Sequence, residues 1–263
     1  MLTGLVLGAI VIVCIFVHPV LLMFLLLSAS CVAIFELVAV FKTRDLYTPT
    51  VPLLIGSCAM FLSCYFAGQL IEMVVYIITC FALLFYSGMA KSVADRHSGY
   101  QTGILVLTYI PLMLSFYVMM ENLYQGPLKV LFVVVATVCS DTGGLIFGSI
   151  FGKNKMSSNI SPNKTWEGFA GSMLLASVFS IVYSYFAFNE YFYNGKLWVV
   201  LLLGVLITAV GTFGDLIEST IKRECGVKDM SNILPGHGGI LDRIDSLIII
   251  APFAYFYMSF LMG

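Results

Sequence analysis

Nine apolar stretches dominate the sequence and restrict the folds that it can adopt. A hydrocarbon core about 30 Å thick requires roughly 20 helical residues to cross it. The stretches lie at residues 3–17, 19–41, 51–68, 70–89, 103–120, 128–150, 168–188, 197–221 and 244–262. Because an unsatisfied backbone polar group is costly in lipid, spanning segments are helices or closed barrels. The sequence therefore predicts an all-α polytopic transmembrane helical bundle of about nine spans. The break at His18 and Pro19 also allows the first two stretches to form one kinked or re-entrant unit.

Composition excludes an ordinary soluble protein. The chain is 60% hydrophobic and 10% charged, whereas soluble domains carry about a quarter charged residues. A net charge of −1 and the lack of a broadly basic surface indicate no nucleic-acid partner. The seven cysteines show neither disulfide-framework nor metal-thiolate spacing. We interpret residues 1–263 as a single integral membrane domain.

The loops predict the orientation of the chain in the membrane. With nine spans, eleven of the 13 Lys and Arg residues fall on one side and two on the other. The first set is Lys42, Arg44, Lys91, Arg96, Lys153, Lys155, Lys164, Lys222, Arg223, Lys228 and Arg243, and the second is Lys129 and Lys196. Positive charge accumulates in cytoplasmic loops. We therefore expect a cytoplasmic N-terminus, cytoplasmic loops at 151–167 and 222–243, and an external C-terminus.

Carboxylates on two predicted helices point to a cation site. Asp215 and Glu218 are three residues apart and so share a helix face, and Asp242 and Asp245 repeat that spacing at the start of the last span. Two pairs at one membrane depth form an oxygen-rich site that suits a hard cation such as Mg²⁺. Asp141, inside the sixth span, also needs a partner or a function, because buried charge in a membrane is costly. A simple ion pair between helices remains an alternative for each carboxylate.

Two cytoplasmic loops carry candidate phosphate-binding groups. The run LPGHGG, residues 234–239, can direct backbone N–H groups at phosphate oxygens. Basic residues surround it: Lys222, Arg223, Lys228 and Arg243. The alternatives are a plain glycine-rich reversal of the chain and, for the lysines, anchoring to lipid headgroups. The other loop, residues 140–168, combines Asp141 with several glycines and Lys164.

The sequence from Ser219 to Asp245, STIKRECGVKDMSNILPGHGGILDRID, resembles the signature of the phosphatidate cytidylyltransferase family, the CDP-diacylglycerol synthases. The runs FGKNK, residues 151–155, and SPNKTWEG, residues 161–168, are similar to the second conserved cytoplasmic loop of that family. A lysine more usually occupies the position of Asn163, and relatives more often carry an aromatic residue or alanine near Gly143 and Gly144. The resemblance covers residues 135–250 well and the first hundred residues only in hydropathy.

The resemblance implies a reaction and roles for the candidate residues. CTP and phosphatidate would give CDP-diacylglycerol and pyrophosphate. Asp215 and Asp242 would hold Mg²⁺ with Asp245 and Glu218 nearby, and K⁺ would be the second cation. The other catalytic candidates are Lys222, Arg223, Arg243 and His237. The candidates for binding substrate are Asp141, Lys164, Thr165, Glu167, Lys228, Asp229, Gly238 and Gly239.

The resemblance also predicts organisation and location. Residues 128–263 would form the catalytic spans and loops, and residues 1–125 would mainly form scaffold spans at a homodimer interface. The compact length suggests a bacterial inner-membrane protein with its active site on the cytoplasmic face. A transporter or channel is the alternative from another class, but the charges gather at one interface and we find no internal repeat. A related enzyme that uses CTP on another lipid, such as a polyprenyl kinase or an archaeal ether-lipid cytidylyltransferase, is the alternative within the class.

Overall fold

The computed structural model describes residues 2–157, 160–233 and 238–262, and these residues are mostly helical. The first seven helices are α1 Leu2–Val17, α2 Pro19–Lys42, α3 Thr50–Ala67, α4 Gln69–Gly88, α5 Val93–Leu107, α6 Met113–Glu121 and α7 Gly126–Phe151. A π-helical turn, Thr108–Leu112, joins α5 to α6. The remaining helices are α8 Trp166–Phe186, α9 Asn189–Tyr193, α10 Leu197–Cys225 and α11 Leu241–Leu261.

The predicted all-α polytopic bundle is confirmed. Eight helical segments of the described residues are long and apolar enough to cross a membrane, with Val93–Glu121 as one of them. The first helix has 16 residues and is shorter than a full span. The count of nine spans and the cytoplasmic N-terminus stay predictions. The fifth predicted stretch begins at Val93 rather than at residue 103, because Ser92 caps the helix by accepting a hydrogen bond from the Asp95 N–H at 2.9 Å.

A short β-hairpin interrupts the helical pattern, and the sequence analysis did not predict it. Strand β1, Lys155–Ser157, pairs antiparallel with β2, Ser161–Thr165, in a register that places Lys155 opposite Thr165. The hairpin lies between α7 and α8. It leads directly into α8, since the Trp166 N–H donates to the Asn154 carbonyl at 2.9 Å.

The chain divides into two compact units, which are described separately. The first comprises the described residues of 1–122 and 222–244, and the second those of 123–221 and 245–263. The segment 222–244 therefore belongs with the N-terminal helices rather than with the helices that flank it in sequence.

In the first unit, α2 packs against several other helices. Its side chains Ile34, Leu37 and Val40 are buried, and the helix packs against α1, α3, α5 and α6. A hydrogen bond between the hydroxyls of Ser30 and Ser57, at 3.0 Å, ties α2 to α3. Small polar groups of this kind fix the register of packed membrane helices.

In the second unit, glycines allow α7 and α8 to approach closely. A Cβ on Gly143 would lie 2.6 Å from the Gly171 carbonyl oxygen, and a Cβ on Gly171 would lie 2.3 Å from the Phe147 side chain. The Ser172 hydroxyl donates to the Ser140 carbonyl at 2.7 Å. Packing of small residues with an interhelical hydrogen bond is typical of membrane helix pairs, and here it fixes the part of α7 that carries Asp141.

Candidate active site

Three carboxylates converge in the second unit. Asp215 and Glu218 of α10 and Asp245 of α11 each offer an oxygen, and these oxygens all lie within 4.8 Å of one another. Glu218 is fully buried and the two aspartates are partly buried. The sequence predicted this grouping from the shared helix face of Asp215 and Glu218, and the structure brings Asp245 to it.

The absence of a side chain at Gly214 lets α10 and α11 meet beside this cluster. A Cβ at Gly214 would lie 3.1 Å from the Asp245 carbonyl oxygen and 3.2 Å from the Cα of Ser246. One helical turn earlier, a Cβ at Gly211 would lie 2.9 Å from the Ile250 side chain. This close approach of the two backbones brings Asp245 of α11 to the carboxylates of α10.

A lysine of the β-hairpin contacts the carboxylate cluster. Lys164 of β2 contacts Asp215 with a distance of 2.6 Å between its Nζ and Oδ2, and it donates to the Thr212 carbonyl at 3.1 Å. Asp141 interacts electrostatically with both Asp215 and Lys164. The 140–168 region and α10 thus meet within this unit through Lys164, Asp141 and Asp215.

A cavity of about 310 Å³ opens beside these groups. Polar side chains from α7, the hairpin, α8, α10 and α11 line much of it: Ser140, Asp141, Ser161, Asn163, Lys164, Thr165, Ser172, Thr212, Asp215 and Ser246. Phe169 and Leu145 add apolar surface. Hydroxyl, carboxylate and ammonium groups in one concave surface suit a phosphorylated ligand with its counter-cation.

Two residues predicted to bind substrate organise the loop itself. Thr165 caps α8, because its Oγ1 accepts a hydrogen bond from the Gly168 N–H at 3.1 Å. Glu167 accepts from the Lys153 N–H at 3.2 Å and from the Asn154 side-chain amide at 2.7 Å. These contacts stabilise the start of α8 and hold Lys164 beside α10.

Asp242 has different surroundings in the first unit. Its Oδ1 accepts from Lys222 at 2.8 Å, and its Oδ2 accepts from the backbone N–H groups of Met230 and Gly239 at 2.9 and 2.8 Å. Both oxygens therefore contact donors. The role of Asp242 as a metal ligand stays a prediction, and the structure does not place it among the three clustered carboxylates.

The same segment depends on a residue that the sequence analysis overlooked. Glu36 of α2 is 2% exposed and accepts hydrogen bonds from the N–H groups of Ile240 and Leu241 at 2.9 and 2.8 Å. The available signal was a lone carboxylate inside a long apolar helix, which is costly in a membrane.

The remaining predicted residues lie along segment 222–244. The side chains of Arg223, Lys228, Asp229 and Arg243 are exposed. Gly238 has a φ of 76°, and a Cβ there would lie 2.9 Å from Asp242, so this position favours glycine. His237, a predicted catalytic residue, lies outside the described residues, as does most of the LPGHGG run.

The donor set of the cluster fits a hard divalent cation. Three carboxylates are oxygen ligands of the kind that Mg²⁺ prefers, and their oxygens all lie within 4.8 Å of one another. Like charges held together in a membrane repel each other, and a divalent cation would offset this repulsion. Asp215, Glu218 and Asp245 could therefore hold such an ion.

Comparison with known proteins agrees with this chemistry. A profile described as "Cytidylyltransferase family" matches residues 1–261. The phosphatidate cytidylyltransferase of Mycobacterium bovis is 33% identical over 246 residues, which cover 89% of this chain and 78% of that protein. The phosphatidate cytidylyltransferase of Bacillus subtilis is 34% identical over 245 residues, which cover 89% of this chain and 87% of that protein.

A further relative is more similar, but over only part of the chain. The phosphatidate cytidylyltransferase of Haemophilus influenzae is 41% identical over 135 residues, which cover 51% of this chain and 47% of that protein. The resemblance noted in the signature from Ser219 to Asp245 is confirmed by these matches. Since the profile spans nearly the whole sequence, this chain belongs to the cytidylyltransferase family.

Proposed function

We propose that this protein transfers the cytidylyl group of CTP to phosphatidate, giving CDP-diacylglycerol and pyrophosphate. The observation that carries the proposal is the grouping of Asp215, Glu218 and Asp245 beside a polar cavity that also contains Lys164. Family membership and the names of the relatives support the choice of substrates.

The two substrates would meet where water and membrane meet. CTP brings a triphosphate from the aqueous phase, and phosphatidate brings a phosphate that its acyl chains keep at the bilayer surface. In the reaction, a phosphatidate oxygen attacks the α-phosphorus of CTP in line and pyrophosphate leaves. Such transfers depend mainly on positioning and on neutralising charge.

Each charged group has a role in this scheme. Asp215, Glu218 and Asp245 would hold Mg²⁺, with K⁺ as the second cation. When bound, Mg²⁺ neutralises negative charge on phosphate oxygens and orients them. Lys164 would bind a phosphate in the cavity while Thr165 and Glu167 hold its loop in place. Asp141 would limit where Lys164 and the phosphates can lie.

The segment 222–244 would contribute positive charge to the nucleotide. Lys222, Arg223 and Arg243 would neutralise the triphosphate and the leaving pyrophosphate, and Asp242 would orient Lys222. The other predicted contacts of this segment with substrate are those of Lys228, Asp229, His237, Gly238 and Gly239. These side chains and backbone groups remain untested as binding residues.

The location and assembly of the protein belong to the same proposal. We place it in a bacterial inner membrane as a single domain and a homodimer, with residues 1–125 as scaffold and residues 128–263 as the catalytic part. The active site would face the cytoplasm. Within the first unit, Thr43 donates to the Cys225 carbonyl at 3.4 Å, which supports placing the end of α2 and the end of α10 on the same side of the membrane.

A purified-enzyme assay tests the function. The protein, in detergent or vesicles, should convert labelled phosphatidate to CDP-diacylglycerol with CTP and a divalent cation, and release one pyrophosphate per product. Parallel reactions with dCTP, ATP and a polyprenol acceptor define the specificity. Transfer of phosphate from CTP to the polyprenol, with no conversion of phosphatidate, would contradict the proposal.

A further inference from the structure

The first unit contains a buried carboxylate for which the reaction scheme gives no role. Glu36 lies in α2, six residues before the helix ends at Lys42, and only 2% of it is exposed. At 1.5 Å per residue, Glu36 is about 9 Å inside the end of the helix. A carboxylate at this depth requires strong compensating contacts.

The compensating contacts come from two points of segment 222–244. Glu36 Oε1 accepts from the Ser231 hydroxyl at 2.6 Å and from the Ile240 N–H at 2.9 Å. Its Oε2 accepts from the Leu241 N–H at 2.8 Å. Leu241 is the first residue of α11, where backbone N–H groups lack partners within the helix. Glu36 therefore acts as the N-terminal cap of a helix that begins about two hundred residues later, and a carboxylate also suits the positive end of the helix dipole.

The same end of α2 contacts the beginning of segment 222–244. The Thr43 hydroxyl donates to the Cys225 carbonyl at 3.4 Å. Gly226 has a φ of 74°, and a Cβ there would lie 3.0 Å from the guanidinium of Arg44. Glu36, Thr43 and Arg44 therefore hold both ends of this segment: Thr43 and Arg44 contact the end of α10, and Glu36 contacts the start of α11.

The cap and the Asp242–Lys222 ion pair of this unit are coupled through adjacent residues. Gly239 donates to Asp242 at 2.8 Å, and a Cβ on Gly239 would lie 2.6 Å from Glu36. Asp242 in turn contacts Lys222 at 2.8 Å. The position of Lys222 therefore depends on a chain of contacts that starts at Glu36.

We propose that Glu36 is a positioning residue for cytidylyl transfer, because it fixes the N-terminus of α11 and through it the Asp242–Lys222 pair. The catalytic consequence rests on the proposed function. The anchoring of Ser231, Ile240 and Leu241 does not, since it follows from contacts that are independent of substrate. The N-terminal half of the chain then contributes directly to the geometry of the catalytic segment.

Glu36→Gln tests the proposal with little change in volume. The amide keeps one acceptor oxygen but presents an NH₂ group to an N–H that previously donated to a carboxylate, so one cap bond is lost. We expect kcat/KM to fall at least tenfold in the variant. Glu36→Asp keeps the charge on a shorter side chain and should retain at least threefold more activity than Glu36→Gln.

Glu72→Gln and Glu121→Gln are matched controls. Both carboxylates belong to the first unit and are buried, with exposures of 0% and 6%. Glu72 lies in the first turn of α4, and Glu121 ends α6. We expect both variants to keep kcat/KM within twofold of the wild type. Equal loss in the controls would overturn the specific role of Glu36.

Hydrogen exchange provides a measurement that needs no substrate. Amides of residues 238–246 should exchange at least tenfold faster in Glu36→Gln than in the wild type, while those of α8 should be unchanged. Unchanged exchange at 238–246, or acceleration that is equal in α8, would overturn the anchoring. If the wild type failed to use CTP and phosphatidate, the proposed function would fail, and this exchange comparison would still decide whether Glu36 anchors the segment.

Discussion

Two acidic regions of this protein have different surroundings. In the second unit, oxygens of Asp215, Glu218 and Asp245 lie within 4.8 Å of one another, and Lys164 also contacts Asp215. In the first unit, the carboxylates of Glu36 and Asp242 each accept three hydrogen bonds from N–H, hydroxyl or ammonium donors. Both regions have carboxylates at the N-terminal part of α11 or beside it. Their neighbours, and not their residue type, distinguish the two regions.

The difference has a simple electrostatic meaning. A buried carboxylate surrounded by donors is already compensated, and removing its charge leaves those donors without an acceptor. Carboxylates that face one another gain stability when a cation enters between them. The first arrangement is suited to holding backbone and side chains in position, and the second to binding a metal ion.

The largest expected effect is at the carboxylate cluster. Asp215→Asn should lower kcat/KM at least a hundredfold, about 2.7 kcal/mol of transition-state stabilisation, because the amide is a much weaker ligand for a hard cation. The Mg²⁺ concentration for half-maximal rate should also rise. Glu190→Gln, an exposed carboxylate of α9, is the control and should behave as wild type. A normal Mg²⁺ dependence in Asp215→Asn would show that Asp215 is not a ligand of the metal.

A smaller effect of a different kind is expected at Asp242. Asp242→Asn should lower kcat/KM about thirtyfold, since Lys222 loses its counter-charge and at least one backbone N–H loses an acceptor. The Mg²⁺ dependence should stay within twofold of wild type, and Mn²⁺ should restore no activity. Partial recovery with Mn²⁺ would instead identify Asp242 as a metal ligand, as the sequence alone predicts, and the distinction between the two regions would be lost.

Loss of the cation at Lys222 should have a somewhat smaller effect. Lys222→Met keeps the aliphatic stem but removes a positive charge that, in the proposed function, would neutralise the triphosphate, so kcat/KM should fall about tenfold, or about 1.4 kcal/mol. Lys196→Met, at an exposed position before α10, is the control. Lys129 is a poor control because it is 2% exposed and donates to the Met262 carbonyl at 2.5 Å. Equal losses in Lys222→Met and Lys196→Met would show that the charge has no local role.

The smallest change in rate is expected from helix packing. Gly143→Ala places a Cβ 2.6 Å from the Gly171 carbonyl and should destabilise the α7–α8 pair by about 1–3 kcal/mol. The rate should fall only a few-fold, because Asp141 and Lys164 shift without losing their charges. Thermal unfolding in detergent measures the destabilisation. Gly8→Ala, where a Cβ meets nothing within 4 Å, should leave the unfolding temperature unchanged.

Hydropathy alone located the helices well. Eight of the nine predicted stretches coincide with single helices, and the fifth coincides with α5, the π-helical turn and α6, because lipid and backbone chemistry leave few alternatives to a long apolar run. The β-hairpin was missed because its strands are three and five residues long and their sequence has no clear alternation of polar and apolar residues.

The sequence identified candidate residues of the site, but it did not predict which of them contact one another. Helical spacing placed Asp215 and Glu218 on one face, but it could not show that Lys164 reaches Asp215 or that donors occupy Asp242. Those contacts depend on close approach at glycines such as Gly214 and Gly239 and on long-range folding. Glu36 was missed because its partners lie about two hundred residues away in sequence, although its isolated charge was visible.

Binding of Mn²⁺ to the purified protein in the absence of nucleotide, followed by electron paramagnetic resonance, tests the central claim most directly. If Asp215, Glu218 and Asp245 form the metal site, the wild type should bind the ion and Asp245→Asn should weaken the apparent dissociation constant at least tenfold. Asp242→Asn should leave that constant within twofold of wild type. Weakening by Asp242→Asn as large as that by Asp245→Asn, or no binding to the wild type, would contradict the assignment.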